Sequence, residues 1–277
     1  MEYATILVSL ALDQENKARL EVAGEMAERF DAAIVGVAAA QFSPPLYFTT
    51  GRQAQALIDE GEASIGKRLS ELEAQFREAM KHRNKSVEWR SALDLPARYV
   101  LQQARCADIV VSGGDAGVLS DPFALVGPKD LVMQAGRPLL IVPDSADWLD
   151  MRSILVAWKD TTEARRAIVD ALPMLRKAKD VTVAEIVEWD GDRSAAVSRV
   201  QDVVGWLARH GVSASELVPQ RDETRIPADQ LDAIAANVGA GVVVAGAYGH
   251  SRFRELILGG MTQHLISQPA RCALLSH

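Results

Sequence analysis

The same succession of strands and helices runs through this sequence twice, and no other feature constrains the fold as tightly. In the first pass, Thr5 to Leu10 reads as a strand, Gln14 to Phe30 as an amphipathic helix, and Ala33 to Ala38 as a second strand. A long helix over Gln53 to His82, a strand over Val87 to Leu93 and a short helix over Pro96 to Ala104 follow. A strand over Asp108 to Ser112, a helix over Lys129 to Ala135 and a strand over Arg137 to Val142 complete the pass. In the second, Ile154 to Ala157, Val181 to Val187, Val212 to Val218, Gly241 to Ala245 and Ala270 to Ser276 read as strands. Helices over Thr162 to Lys177, Ala195 to His210 and Ala228 to Asn237 lie between them. Apolar strands alternating with helices are the pattern of a parallel sheet covered on both faces. The prediction is an α/β chain of two tandem Rossmann-like domains, 1–146 and 151–277, each a five-stranded parallel doubly wound sheet. The polar, aperiodic stretch Asp144 to Met151 reads as the linker.

Glycines point to where a ligand would sit. The run Val242-Val243-Val244-Ala245 ends in Gly246, Gly249 follows, and Gly259-Gly260 opens the last amphipathic segment, giving G-x2-G-x9-G. Gly114, Gly117 and Gly127 repeat the spacing in the first half. Glycines at a strand end and a helix start let the main chain approach a bulky anion, and the free amides of a helix start favour phosphate. Tight-turn geometry alone is the competing reading. Charge separates the two copies: Asp115, Asp121 and Asp130 oppose Lys129 in the first, whereas Arg252 and Arg254 oppose Glu255 in the second. Pro128 also removes an N–H where Gly260 keeps one. The second copy is therefore expected to hold a phosphate cradle, and the first to retain only turn geometry.

The 277 residues give each half enough chain for its own core, and a net charge of -7 leaves no basic stripe for nucleic acid or an anionic membrane. No apolar run reaches membrane-spanning length, and the first residues read as a strand rather than a secretion signal. Cys106 and Cys272 lack metal or redox spacing and read as buried free thiols of a cytoplasmic protein.

Two α/β units, each with G-x2-G-x9-G after its fourth strand, resemble a tandem universal stress protein over essentially the whole chain. The resemblance implies an adenine nucleotide α-hydrolase-like fold that binds ATP or another adenine nucleotide, with Mg2+ only as carried by the nucleotide. It implies a regulatory or protective role in stress survival without established catalysis; slow ATP hydrolysis is compatible with it. Carried onto this sequence, the nucleotide-binding set is Ala157 at the end of the first strand of the second half, Lys159 and Asp160 just after it, and Val187 at the end of the next. Gly246, Gly249, His250, Arg252, Gly259, Gly260, Met261 and Thr262 complete it around the glycine loop. Two departures stand out. Gly260 occupies the place of a phosphate-binding Ser or Thr, and Lys159 stands where an acidic residue would receive the base, with Asp160 one place late. In the first half Ala11-Leu12-Asp13 reads longer by about a residue.

No catalytic or metal-ligating residue is expected, since there is no G-x-S-x-G, no Walker lysine and no metal spacing. A nucleotide-independent interaction module with both sites decayed is the alternative, and an enzyme of the nucleotide α-hydrolase type a third reading. Asp160 with Thr161 or Thr162 also fits a helix N-cap. Trp158 fits either a base-stacking or a core role, and the apolar loop Pro44 to Phe48 either covers a pocket or contacts a partner. By the same resemblance, Leu139 to Val142 and Ala273 to Ser276 are expected to run antiparallel across a pseudo-two-fold axis, with two chains pairing further as a homodimer.

Overall fold

The computed structural model describes residues 2–12, 14–43, 51–83, 86–115, 121–188, 191–247, 260–267 and 270–277. The first half contains β1 (Thr5–Ser9), α1 (Lys17–Phe30), β2 (Ala33–Ala40), α2 (Arg52–Met80), β3 (Val87–Leu93), α3 (Pro96–Gln103), β4 (Ile109–Gly113), α4 (Pro128–Gln134) and β5 (Leu139–Val142). The second contains β6 (Ser153–Ala157), α5 (Thr162–Lys177), β7 (Asp180–Ala184), α6 (Arg193–Arg209), β8 (Ala214–Leu217), α7 (Pro227–Asn237), β9 (Val242–Gly246), α8 (Gly260–Ser267) and β10 (Cys272–Ser276). The apolar loop Pro44 to Phe48 lies outside the described residues.

All ten strands join one sheet in the order β3-β2-β1-β4-β5-β10-β9-β6-β7-β8. Pairing is parallel everywhere except between β5 and β10, where Leu139, Leu140 and Ile141 face Leu275, Leu274 and Ala273 in antiparallel register. The two five-stranded parallel sheets are thus fused along their fifth strands, as the family resemblance implies. Both central leucines of the seam, Leu140 and Leu274, are fully buried.

Alternation along each strand divides the interior into two layers. Ile6, Val8, Ile154 and Val156 face the layer filled by Met26 and Phe30 of α1, Phe76 of α2 and Ile168 of α5. Leu7, Val110, Leu155 and Val243 face the layer filled by Val100 of α3, Leu131 of α4, Leu231 of α7 and Leu265 of α8. α1 stops at Asp31, which takes φ 51 and donates its N–H to the Ala27 and Glu28 carbonyls. A short polar side chain tolerates that left-handed conformation, which turns the chain into β2.

Three features go beyond the sequence reading. The outermost strands β3 and β8 are only half-buried, with Glu88 and Glu216 on them, because an edge strand has a partner on one side only. The linker stretch packs against the body: Leu149 and Met151 are buried, and the Leu149 N–H donates to the Glu25 carboxylate at 3.0 Å. Further bonds tie the halves together. The Tyr3 hydroxyl donates to the Asp170 carbonyl at 2.6 Å, and the Asp115 N–H to the Ile266 carbonyl at 2.9 Å. Finally, Cys272 is buried as expected, but Cys106 is exposed, because it closes a short 3-10 turn at Ala104–Cys106 on the surface side of β4. Among the described residues no helix is long and apolar enough to cross a membrane.

Candidate functional site

In an open α/β sheet, ligands bind outside the carboxyl ends of the strands, where neighbouring strands send their connections to opposite faces. The sheet has two such points, between β1 and β4 and between β6 and β9. They correspond closely. Ile6 and Val8 pair with Ile109 and Val111, and Ile154 and Val156 pair with Val242 and Val244, so Ser9 stands where Ala157 stands and Gly113 where Gly246 stands.

That correspondence corrects the motif alignment. Spacing in the sequence matches Gly246 to Gly114, whereas strand register matches it to Gly113, the last residue of β4 as Gly246 is of β9. Seven residues separate β1 from α1 and four separate β6 from α5, so the first loop is three residues longer, not one. Strand pairing counts residues from hydrogen bonds, which loop insertions do not disturb.

In the second half, Ala157 pairs with Ala245 and stands beside Gly246. Lys159 and Asp160 follow and are exposed. Asp160 forms an ion pair with Arg165. Thr161, not Asp160, caps α5: its hydroxyl accepts from the Ala164 N–H at 3.2 Å. Val187 is buried, and its main-chain groups are both engaged, its N–H donating to the Pro219 carbonyl and its carbonyl accepting from the Arg221 N–H. Gly260 is exposed at the start of α8, Met261 is half-buried and Thr262 is buried. Gly249, His250, Arg252 and Gly259 lie outside the described residues. Trp158 belongs to the core, and its buried indole N–H has no partner.

Gly246 has a packing reason of its own. A Cβ there would stand 2.4 Å from the Ala164 nitrogen and 2.7 Å from the Glu163 carbonyl carbon, so the first turn of α5 rests directly on its main chain. The glycine admits the helix; it is not by itself a sign of a ligand.

In the first half the same spot is filled differently. The residue over Gly113 is Arg19, whose Nε, Nη2 and Cζ lie 2.5 to 2.7 Å from where a Cβ would stand. Arg19 is only 4% exposed. Its Nη1 donates to the Asn16 carboxamide oxygen at 3.1 Å and its Nη2 to the Gln14 carboxamide oxygen, both neutral acceptors. Burial holds the guanidinium below its ordinary pKa, opposed by the charge of Asp144. The crevice that remains, bordered by Ser9, Gln14, Arg19, Ser112 and Gly113, measures about 10 Å³. Sequence reading passed over Arg19, because a basic residue in the first turn of an amphipathic helix looks like part of its solvated face.

Among the described residues no group of three or more His, Cys, Asp or Glu could hold a metal ion. His264 does meet Asp232, at 2.6 Å, in a half-buried pair joining α8 to α7.

No protein-family model and no curated protein matches the sequence. Solved structures do match the fold. A universal stress protein from Archaeoglobus fulgidus DSM 4304 superposes with a TM-score of 0.71 at 15% identity, covering 98% of this chain and 97% of that one. A putative universal stress protein from Pseudomonas aeruginosa UCBPP-PA14 gives 0.57 at 17% identity over 99% and 93%. A functionally unknown protein from Pseudomonas aeruginosa PAO1 gives 0.56 at 16% identity over 99% and 92%. Over its whole length, therefore, this chain has the fold of the universal stress proteins, with two Rossmann-like units joined in one sheet.

Proposed function

We propose that the chain is a tandem universal stress protein, with domains 1–146 and 151–277, that binds ATP or another adenine nucleotide at the β6/β9 switch point and acts as a ligand-responsive regulatory or protective protein of the cytoplasm. The observation that carries this reading is the exchange of Arg19 for Ala164. A buried guanidinium fills the first crevice, whereas the matching position in the second is an alanine, with small Ala157 and Ala245 on the strand ends. The exposed Lys159 and the amino end of α5 add positive potential there. Gly249, His250, Arg252, Gly259, Gly260, Met261 and Thr262 complete the proposed set. Mg2+ would enter with the nucleotide, since the described residues offer no metal cluster of their own. Turnover is not part of the role, and two chains pair as a homodimer.

Calorimetric titration of the full chain with ATP and with AMP tests the reading. Saturable heat that disappears in Gly249→Val and survives in Arg19→Met is the expected result. Absence of saturable heat in the native chain would favour a nucleotide-independent interaction module. That second reading has its own support, because helix packing already explains Gly246.

A further inference from the structure

We propose that the N-terminal crevice between β1 and β4 is a binding site for one small monovalent anion, of about the size of chloride, held by the Arg19 guanidinium. Arg19 is a full positive charge, 4% exposed, and no described carboxylate touches it. The carboxylate that acts on it, Asp144, does so through space from an exposed position after β5. A buried charge that no described carboxylate meets in direct contact is costly for a protein to hold. Two of the guanidinium nitrogens are satisfied by the neutral amides of Asn16 and Gln14, while the Nε–H is buried with no acceptor at all. That orphan donor lies over Gly113, and Arg19 and Gly113 both border the cavity.

The surroundings favour an acceptor that donates nothing. Ser9 and Ser112 present hydroxyls that can turn to donate, and both are buried. The amino end of α1 adds its dipole. Asn16, at the N-cap position, uses its side-chain oxygen on the Ala11 N–H and on Arg19 and makes no cap hydrogen bond to the helix. Size then selects the ligand. A cavity of about 10 Å³ has room for roughly one water or one monatomic ion. Ligand pockets for larger molecules run to hundreds of Å³, so a nucleotide is excluded while Arg19 stays in place. The inference concerns the half that the proposed nucleotide site does not use, and it stands or falls separately.

The test uses the full chain and sodium chloride against sodium gluconate at equal ionic strength. Chloride is expected to raise the thermal unfolding midpoint saturably, by about 2 °C or more once the site is filled. The rise should vanish in Arg19→Met. Equal midpoints in the two salts would overturn the proposal and leave a single water as the occupant; a rise that persists in Arg19→Met would overturn it by placing the ion elsewhere. Should Arg19→Met fail to fold, crystals of the native chain soaked in bromide decide the matter. An anomalous peak within hydrogen-bond distance of Arg19 Nε is expected, and none there overturns the assignment.

Discussion

The amide nitrogen of Ala164 stands 2.4 Å from the point that a Cβ on Gly246 would occupy, and the main chain of Glu163 is almost as close. Neither can yield without lifting the first turn of α5 from the sheet. Gly246→Ala is therefore expected to destabilise the chain by about 1–3 kcal/mol. Gly260→Ala, where no described residue lies within 4 Å of the added Cβ, should stay within about 0.5 kcal/mol of the native chain. Denaturant unfolding of the two variants checks the contrast, and equal midpoints would contradict it.

The seam between the halves rests on Leu140 and Leu274, opposed across the antiparallel pair and fully buried. Each leucine truncated to alanine should cost about 2–5 kcal/mol. Because the two share one packing site, the double variant should cost less than the sum of the singles. Strictly additive losses in denaturant melts would mean that the two side chains do not couple across the seam.

Asp170 sits at the same junction and governs a pH dependence. Desolvation raises its carboxyl above the ordinary 3.8, although the Ser276 hydroxyl, donating at 2.8 Å, and the charge of Arg166 pull the other way. A raised carboxyl binds its proton more tightly in the folded state than in the unfolded one. Its contribution therefore falls as pH climbs from 3.8 through the raised value, and stays lower at neutral pH. Asp170→Asn, which keeps an acceptor for Ser276, should raise the thermal midpoint at pH 7, with the gain shrinking in acid. A gain that grows toward acid would reverse the sign of the linkage.

The cysteines should differ in chemistry. Cys106 is exposed, while burial, with the charge of Glu25, pushes the Cys272 thiol up to about 12. Thiolate is the reactive form. A thiol-labelling reagent at pH 8 is expected to modify one site per native chain, at Cys106, and two after unfolding. Rapid labelling of Cys272 in the native chain, read by peptide mass, would show the seam to be open.

Removing the cap on α5 offers a smaller test. Thr161→Ala leaves the Ala164 N–H without its side-chain acceptor and should cost about 1 kcal/mol. Asp160→Asn, which removes a surface ion pair with Arg165 and a weaker through-space charge on Arg199, should be nearly neutral. Paired denaturant melts that rank these two the other way would assign the cap to Asp160.

Much of the architecture could be read directly from residue order. Period-two and period-3.6 hydrophobic patterns are local, so Ile154 to Ala157 as a strand and Thr162 to Lys177 as a helix needed no partner to be recognised. The resemblance to tandem universal stress proteins, not the duplication alone, then implied the fused sheet. Other features depend on which main-chain atoms meet. The sequence could not place Gly113, rather than Gly114, opposite Gly246, because loop lengths of seven and four residues shift the count and only strand hydrogen bonds restore it. Nor could it reveal that Cys106 faces outward, or that Leu149 in the linker is buried. Arg19 is the sharpest case. Its charge and its place in a helix are written in the chain, but its burial over Gly113 follows from the sheet register and the longer loop acting together, and those are decided only when the tertiary structure closes.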